Sequence, residues 1–117
     1  MQYDIQKRTF EFGLQVLKLS NQIPDTQSGR TICRQLLRSG TSIGANVEEA
    51  EAAYTKEDFA YKMNIALKEA RETHYWLRLI KQSNLAHPEN YDSIIGESEE
   101  LKKILGAIVS KARGKSK

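Results

Sequence analysis

The stretch that decides the fold is residues 56–84, KEDFAYKMNIALKEARETHYWLRLIKQSN, which has the period of one long helix. Apolar or small residues recur along it at alternating spacings of four and three. They are Phe59, Met63, Ala66, Ala70, Thr73, Leu77 and Ile80. Thr55 and Asp58 precede this run at the spacing of a capping box, which marks a helix start. The pattern predicts one continuous helix with a single core-facing side.

Three further segments, at about residues 4–22, 28–54 and 91–111, also show a helical period. The predicted core positions of the first are Phe10, Leu14, Leu17 and Asn21, with Phe12, Val16 and Leu19 widening the stripe. Those of the second are Ile32, Leu36, Ser39, Ile43, Val47, Ala50 and Tyr54. Those of the fourth are Ile94, Ser98, Leu101, Leu105 and Ile108. Breaks at residues 23–25 and 86–90 separate the segments, and each break contains a proline.

Four helices with short connections predict an all-α fold, an antiparallel up-down-up-down four-helix bundle. We expect the bundle to span residues 1–110 and a basic, flexible tail to span 111–117. The second helix contains Gly40 and Gly44, each of which costs about 1 kcal/mol relative to alanine in a helix interior. Close approach by a neighbouring helix would offset that cost. The alternative is a turn at residues 39–44 that splits the segment.

Composition narrows the class of protein without revealing a chemistry. With 117 residues the chain has the length of one domain, and it has no apolar run of about 20 residues and no secretory leader pattern. Its single cysteine, Cys33, fits a reducing compartment, so we expect a cytoplasmic protein. His74 does not have the Glu-x-x-His spacing of a di-iron bundle, and no phosphate-binding loop is present. We therefore expect no enzyme activity, no metal, no cofactor and no membrane partner.

Basic residues concentrate in two places. Four of them occupy the last seven residues, whereas the remaining 110 residues hold 14 bases and 15 acids. The tail residues are Lys111, Arg113, Lys115 and Lys117. Arg30, Arg34 and Arg38 recur every four residues on one face of the second helix, a spacing that suits a row of phosphates. The alternatives are a solubilising tail and a stripe that pairs with acids of a neighbouring helix or subunit.

The third helix has a second apolar face, which we expect to be an oligomer interface. Its residues are Tyr61, Ile65, Glu72, Trp76 and Leu79. The alternative is that these side chains only broaden the core contact. Asn46 lies slightly off the core face of the second helix, so its amide is expected to be partly buried and to fix the register of packing. A ligand-binding role for Asn46 is the alternative.

Two stretches resemble the signature motifs of the bacterial 23S rRNA-intervening-sequence protein family. The first is residues 38–50, RSGTSIGANVEEA, and the second is formed by Phe59, residues 65–73 and residues 75–77 of the third helix. The resemblance covers about residues 5–110. It implies a four-helix bundle that forms ring-like homopentamers, and a similarity to the RNA-binding accessory protein of diversity-generating retroelements.

The resemblance implies no catalytic residue. The motif positions are expected to make contacts between helices or subunits. They are Arg38, Ser42, Gly44, Asn46, Glu49, Glu69 and Glu72. We expect a non-catalytic oligomer that engages RNA or a ribonucleoprotein by its phosphates, through Arg30, Arg34, Arg38 and the tail cations. A protein-interaction scaffold without nucleic acid is the alternative, and a small-molecule binder that uses the bundle core is a third reading.

Overall fold

The computed structural model describes residues 4–86 and 91–114, which fold into four α-helices without a β-strand. The helices are α1 (Ile5–Ser20), α2 (Gln27–Glu51), α3 (Lys56–Gln82) and α4 (Tyr91–Ala112). The all-α prediction is confirmed. Most of the predicted second break, at 87–90, lies outside the described residues, as do Lys115 and Lys117 of the predicted tail.

Helix starts are fixed by side chains that accept hydrogen bonds from the first turn. Thr55 Oγ1 accepts from the backbone N–H of Asp58 at 3.0 Å, so the predicted cap of α3 is confirmed. Thr26 Oγ1 accepts from the N–H of Gly29 at 3.0 Å, and Asp4 caps α1 in the same way. Each of these bonds satisfies one N–H group that has no partner within its helix.

Helices that follow one another in the chain pack side by side in antiparallel pairs, and α1 also touches α4. The contact between α2 and α3 is the largest and that between α1 and α4 the smallest. Lys81 near the end of α3 pairs with Asp92 at the start of α4, with 2.6 Å between Nζ and Oδ1. The result is an up-down-up-down four-helix bundle that measures 44 × 23 × 21 Å.

The predicted core face of α3 is confirmed, because every one of its residues is buried except Phe59, which is half-buried. Most predicted core positions of α2 and α4 are buried as well, whereas Ile32 and Ile108 are half-buried. The buried ones are Leu36, Ser39, Ile43, Val47, Ala50, Ile94, Ser98, Leu101 and Leu105. Tyr54 was predicted to extend the α2 core face, but it is fully exposed because α2 ends at Glu51 and the chain turns away from the core.

Residues 39–45 are helical, so α2 is continuous and the alternative of a turn is excluded. Both internal glycines lie against α1, which confirms the predicted close approach. A Cβ atom on Gly40 would lie 2.9 Å from both γ-carbons of Val16, and one on Gly44 would lie 3.3 Å from the backbone of Thr9. The missing side chains therefore allow α1 and α2 to approach more closely than larger residues would permit.

The prediction that these α1 residues share one buried face was wrong. Phe12, Val16 and Leu19 are buried, whereas Phe10, Leu14 and Leu17 are 64%, 44% and 46% exposed, and Asn21 is exposed as well. Both stripes are apolar, so hydrophobicity alone does not choose between them. Shape decides, because the glycines of α2 leave room for the short, β-branched side chains of Thr9 and Val16 on the buried stripe.

The few polar groups in the core are paired with one another or with the backbone. Thr73 Oγ1 lies 2.9 Å from Ser39 Oγ across the contact between α2 and α3, and 2.7 Å from the carbonyl oxygen of Glu69 in its own helix. The hydroxyl of Tyr91 donates to the Leu77 carbonyl. Among the described residues, no buried side-chain nitrogen or oxygen lacks a partner, which is the pattern of a well-specified core.

Candidate functional site

The three arginines of the predicted phosphate stripe differ in their surroundings. Arg30 pairs with Asp25, with 2.9 Å between Nη1 and Oδ1, and both side chains are mostly exposed. A surface pair of this kind contributes little stability and is readily exchanged. Arg34 is exposed and makes no ion pair with the residues in 4–86 and 91–114. Both arginines are therefore accessible to an anion.

Arg38 instead connects α2 to α3. Its Nη1 lies 3.2 Å from Glu69 Oε1, and its Nη2 donates to Glu72 Oε2. The same Glu72 oxygen accepts a hydrogen bond of 3.0 Å from the indole N–H of Trp76. A phosphate at Arg38 would have to compete with two carboxylates that are already in place. The structure thus puts Arg38 in an interhelical contact, which is the alternative that the sequence left open for the stripe.

The C-terminal cations lie at the other end of the bundle from Arg30 and Arg34. Lys111 occupies the last turn of α4, and Arg113 follows the helix directly. Lys111 lines a shallow hollow together with Tyr54 and Lys56 from the connection between α2 and α3. The fold does not bring the two predicted basic groups together, because α2 begins at the end of the 44 Å bundle where α4 also begins.

The predicted interface residues of α3 fall into two groups. Tyr61 and Leu79 are 62% and 38% exposed. Ile65 and Trp76 are half-buried, and Trp76 packs against the hydrophobic core. Glu72 is engaged by Arg38 and Trp76, as described above. Only part of this face is available to a partner without rearrangement of the protomer.

A further exposed apolar surface, which the sequence analysis had assigned to the core, lies on α1. The exposed side chains of Phe10, Leu14 and Leu17 border a shallow groove of about 320 Å³, whose other wall is formed by Thr41, Gly44, Ala45 and Glu48 of α2. We call this surface the α1 groove. The sequence already showed Phe10, Leu14 and Leu17 as an apolar stripe, but the prediction placed that stripe in the core.

The other motif residues make short-range contacts. Ser42 Oγ donates to the carbonyl of Arg38 at 2.6 Å, and Asn46 Nδ2 donates to the carbonyl of Ser42 at 2.8 Å. Asn46 is half-buried, and the partner of its amide is in its own helix. Glu49 pairs with Lys62 of α3 at 2.6 Å, and that hydrogen bond raises the pKa of Lys62 above its ordinary value. Of these contacts, the Glu49–Lys62 pair joins α2 to α3, and the hydrogen bonds of Ser42 and Asn46 stay within α2.

The residues weighed for chemistry have ordinary structural surroundings. Cys33 is half-buried and its thiol contacts the Ser20 carbonyl at 3.7 Å. His74 lies 3.3 Å from Glu99 and close to Lys102, and burial lowers the pKa of its imidazole, with the charge of Lys102 as a second cause. In the part of the chain that the structure describes, no three His, Cys, Asp or Glu residues come together as a metal site would require. Nor does any described helix combine the length and apolar character needed to cross a membrane.

Comparison with known proteins finds a match over most of the chain. Residues 1–107 match a family described as the 23S rRNA-intervening sequence protein. Among solved structures, the chain is similar to a protein from Bacteroides thetaiotaomicron VPI-5482, which is described as a protein with unknown function from the S23 ribosomal protein family. The two chains are 42% identical with a TM-score of 0.82, over 90% of this chain and 97% of the other. No curated protein matches the chain.

Proposed function

Because the chain belongs to the 23S rRNA-intervening sequence protein family, we propose that it is a non-catalytic, cytoplasmic accessory protein that assembles with copies of itself and binds RNA through phosphates. The RNA is free or part of a ribonucleoprotein. The observation that carries the proposal is the pair Arg30 and Arg34, two exposed guanidinium groups one turn apart on α2. Guanidinium groups suit phosphates because their planar donors match two phosphate oxygens at once.

Two further facts support this reading. The description of the family names 23S rRNA, and that of the similar solved structure names a ribosomal protein family. In addition, Lys111 and Arg113 have no ion pair with other described residues, so they add positive charge that phosphates can use. The binding would follow the sugar-phosphate backbone and would not read the base sequence.

RNA affinity is expected to fall steeply with salt and to drop in the Arg30→Ala/Arg34→Ala variant. Each lost phosphate contact should reduce the slope of log K against log[salt] by about 0.7 for a single strand. Filter retention of the full chain across a salt series measures both quantities. The matched control is Lys7→Ala/Lys103→Ala, which removes two exposed cations from α1 and α4.

A second pair of variants separates the contributions of the tail and of Arg38. If only a chain that ends at Ser110 loses affinity, the basic end is a non-specific arm and the arginine pair is not a binding site. Arg38→Ala is expected to lower the unfolding midpoint more than RNA affinity, because Arg38 joins α2 to α3. Absence of binding near physiological salt would overturn the proposal and favour a protein-interaction scaffold.

For the contact between copies we propose the α1 groove. Contiguous apolar surface on a soluble protein usually marks a partner site, and the groove exposes three large apolar side chains within two turns of α1. The predicted interface on α3 exposes less apolar side-chain surface, since Trp76 and Ile65 are already half-buried in the protomer. The number of copies that the family resemblance implies is five.

Light scattering is expected to give a mass near five times the 13.3 kDa of one chain. Leu14→Glu should reduce that mass to the mass of a single chain, because it places a charge in the middle of the proposed contact while the side chain is exposed in the protomer. Leu79→Glu, at a leucine of similar exposure on α3, is the matched control and should leave the mass unchanged. Dissociation by Leu79→Glu alone would place the contact on α3 instead.

A further inference from the structure

Three cations lie on the outer face of α3 without a carboxylate to neutralise them. Lys68, Arg71 and Arg78 are exposed, and none of them forms an ion pair with residues 4–86 or 91–114. The nearby acids of the same helix, Glu69 and Glu72, are bound by Arg38. Although residues 1–110 are close to neutral in sum, this face therefore presents net positive charge.

Tyr75 lies among these cations. The spacings from Lys68 to Arg71, Tyr75 and Arg78 are three, four and three residues, which places all four side chains on one side of the helix. The ring of Tyr75 is 46% exposed. It is held in position on two sides, because the Arg78 guanidinium carbon lies 5.9 Å from its centroid and the Trp76 ring packs edge-on at 5.0 Å. An exposed aromatic ring that is already held in place loses little freedom when a flat partner stacks on it.

From this arrangement we infer that the outer face of α3 is a binding track for single-stranded RNA, in which Tyr75 stacks with a base and Lys68, Arg71 and Arg78 contact phosphates. Alternating cations and exposed rings are the chemistry by which proteins hold single strands. From Lys68 to Arg78 the helix rises about 15 Å, a length that spans about four phosphates of a stacked strand at 3.4 Å each. A duplex keeps its bases stacked inside and has none to offer to Tyr75.

This inference rests on the proposed RNA binding and extends it to a second surface. The two surfaces are separate. Arg30 and Arg34 border a hollow beside Pro24, in the connection between α1 and α2. Arg38, one turn after Arg34, lies on the side of α2 that pairs with α3. The two surfaces make different demands on the ligand: the arginine pair needs only phosphates, whereas Tyr75 needs an unpaired base.

Tyr75→Ala in the full chain is expected to weaken binding of short oligo(A) RNA about tenfold at fixed low salt, which is the typical loss when one stacking side chain is removed. Tyr75→Phe should bind like the wild type, because it keeps the ring. Tyr54→Ala is the control, since Tyr54 is another exposed tyrosine but lies in the connection between α2 and α3, away from Lys68, Arg71 and Arg78. A duplex RNA of the same length should bind more weakly than the single strand and should be insensitive to Tyr75→Ala.

Fluorescence gives a second readout. The chain has a single tryptophan, and Trp76 lies beside the Tyr75 ring, so a base stacked there should quench its emission. Quenching should be lost in Tyr75→Ala and kept in Arg30→Ala/Arg34→Ala. Lys68→Ala, Arg71→Ala and Arg78→Ala should each reduce the salt slope by about 0.7.

The outcomes separate this inference from the proposed function. If RNA binds and depends on Arg30 and Arg34, but Tyr75→Ala has no effect and duplex binds as well as single strand, the α3 track is refuted while the proposed function stands. If no RNA binds, both the α3 track and the proposed function are refuted. A tenfold loss that is confined to single strands and to Tyr75→Ala supports the track.

Discussion

Phe12→Ala is expected to lower the free energy of unfolding by about 3–5 kcal/mol, whereas Phe10→Ala changes it by less than about 0.5 kcal/mol. Phe12 is 1% exposed in the core, and Phe10, two residues earlier, is 64% exposed. Truncation of the buried ring leaves a cavity that the surrounding helices fill only in part. For a chain of this size the loss corresponds to a drop of roughly 15–30 °C in Tm.

Urea unfolding followed by circular dichroism measures both values. The two substitutions are compared in the Leu14→Glu background, so that dissociation of copies does not contribute to the apparent stability. Equal losses at the two positions would mean that α1 buries both stripes. A larger loss at Phe10 would restore the face that its sequence pattern had favoured.

Gly40→Leu is expected to destabilise the fold by about 3 kcal/mol, at the upper end of the range for overpacked cores. Even a Cβ atom would lie 2.9 Å from the γ-carbons of Val16, and Val16 is fully buried and has a stiff side chain. The remaining atoms of leucine would push α1 away from α2. In a helix without such a neighbour, the same change should stabilise the protein by somewhat less than 1 kcal/mol, because leucine is the better helix former.

Gly96→Leu is the matched control, because Gly96 also lies inside a helix and nothing surrounds its Cβ position within 4 Å. Adding Val16→Ala to Gly40→Leu should recover part of the loss, since it makes room where the leucine intrudes. Thermal and urea unfolding of the three variants and of the unaltered protein measure the effect. A Gly40→Leu protein as stable as Gly96→Leu would contradict the close contact between α1 and α2.

The buried face could be predicted from the sequence where a helix has one uninterrupted apolar side. In α3 the positions from Met63 to Ile80 were identified correctly, because the second apolar face of this helix is interrupted by Glu72 and does not form a competing continuous seam. The glycines of α2 were also interpreted correctly, since residues that weaken a helix are retained only where packing compensates for them. In α1, two apolar stripes occur on opposite sides, and periodicity has no means of choosing between them.

For the candidate site, the sequence predicted which types of residue are present but not what surrounds each of them. Arg30, Arg34 and Arg38 are equivalent in spacing, yet Arg38 alone reaches two carboxylates of α3. Lys68, Arg71 and Arg78 are interspersed with acids in the sequence, and their spacing alone did not distinguish them. In the part of the chain that the structure describes, none of the three forms an ion pair, whereas the neighbouring Glu69 and Glu72 pair with Arg38, thirty or more residues away in the chain.

The sequence by itself determined the class of fold, the number of helices, the core face of α3 and the family, because these depend on local periodicity and on motifs of contiguous residues. Tertiary structure alone decided which side of α1 is buried, which arginine is neutralised and which cations remain for a ligand. Each of these depends on what a second helix places opposite a residue. The outcome is set by shape and charge across the contact between helices. The spacing of residues within one helix contains no information about that contact.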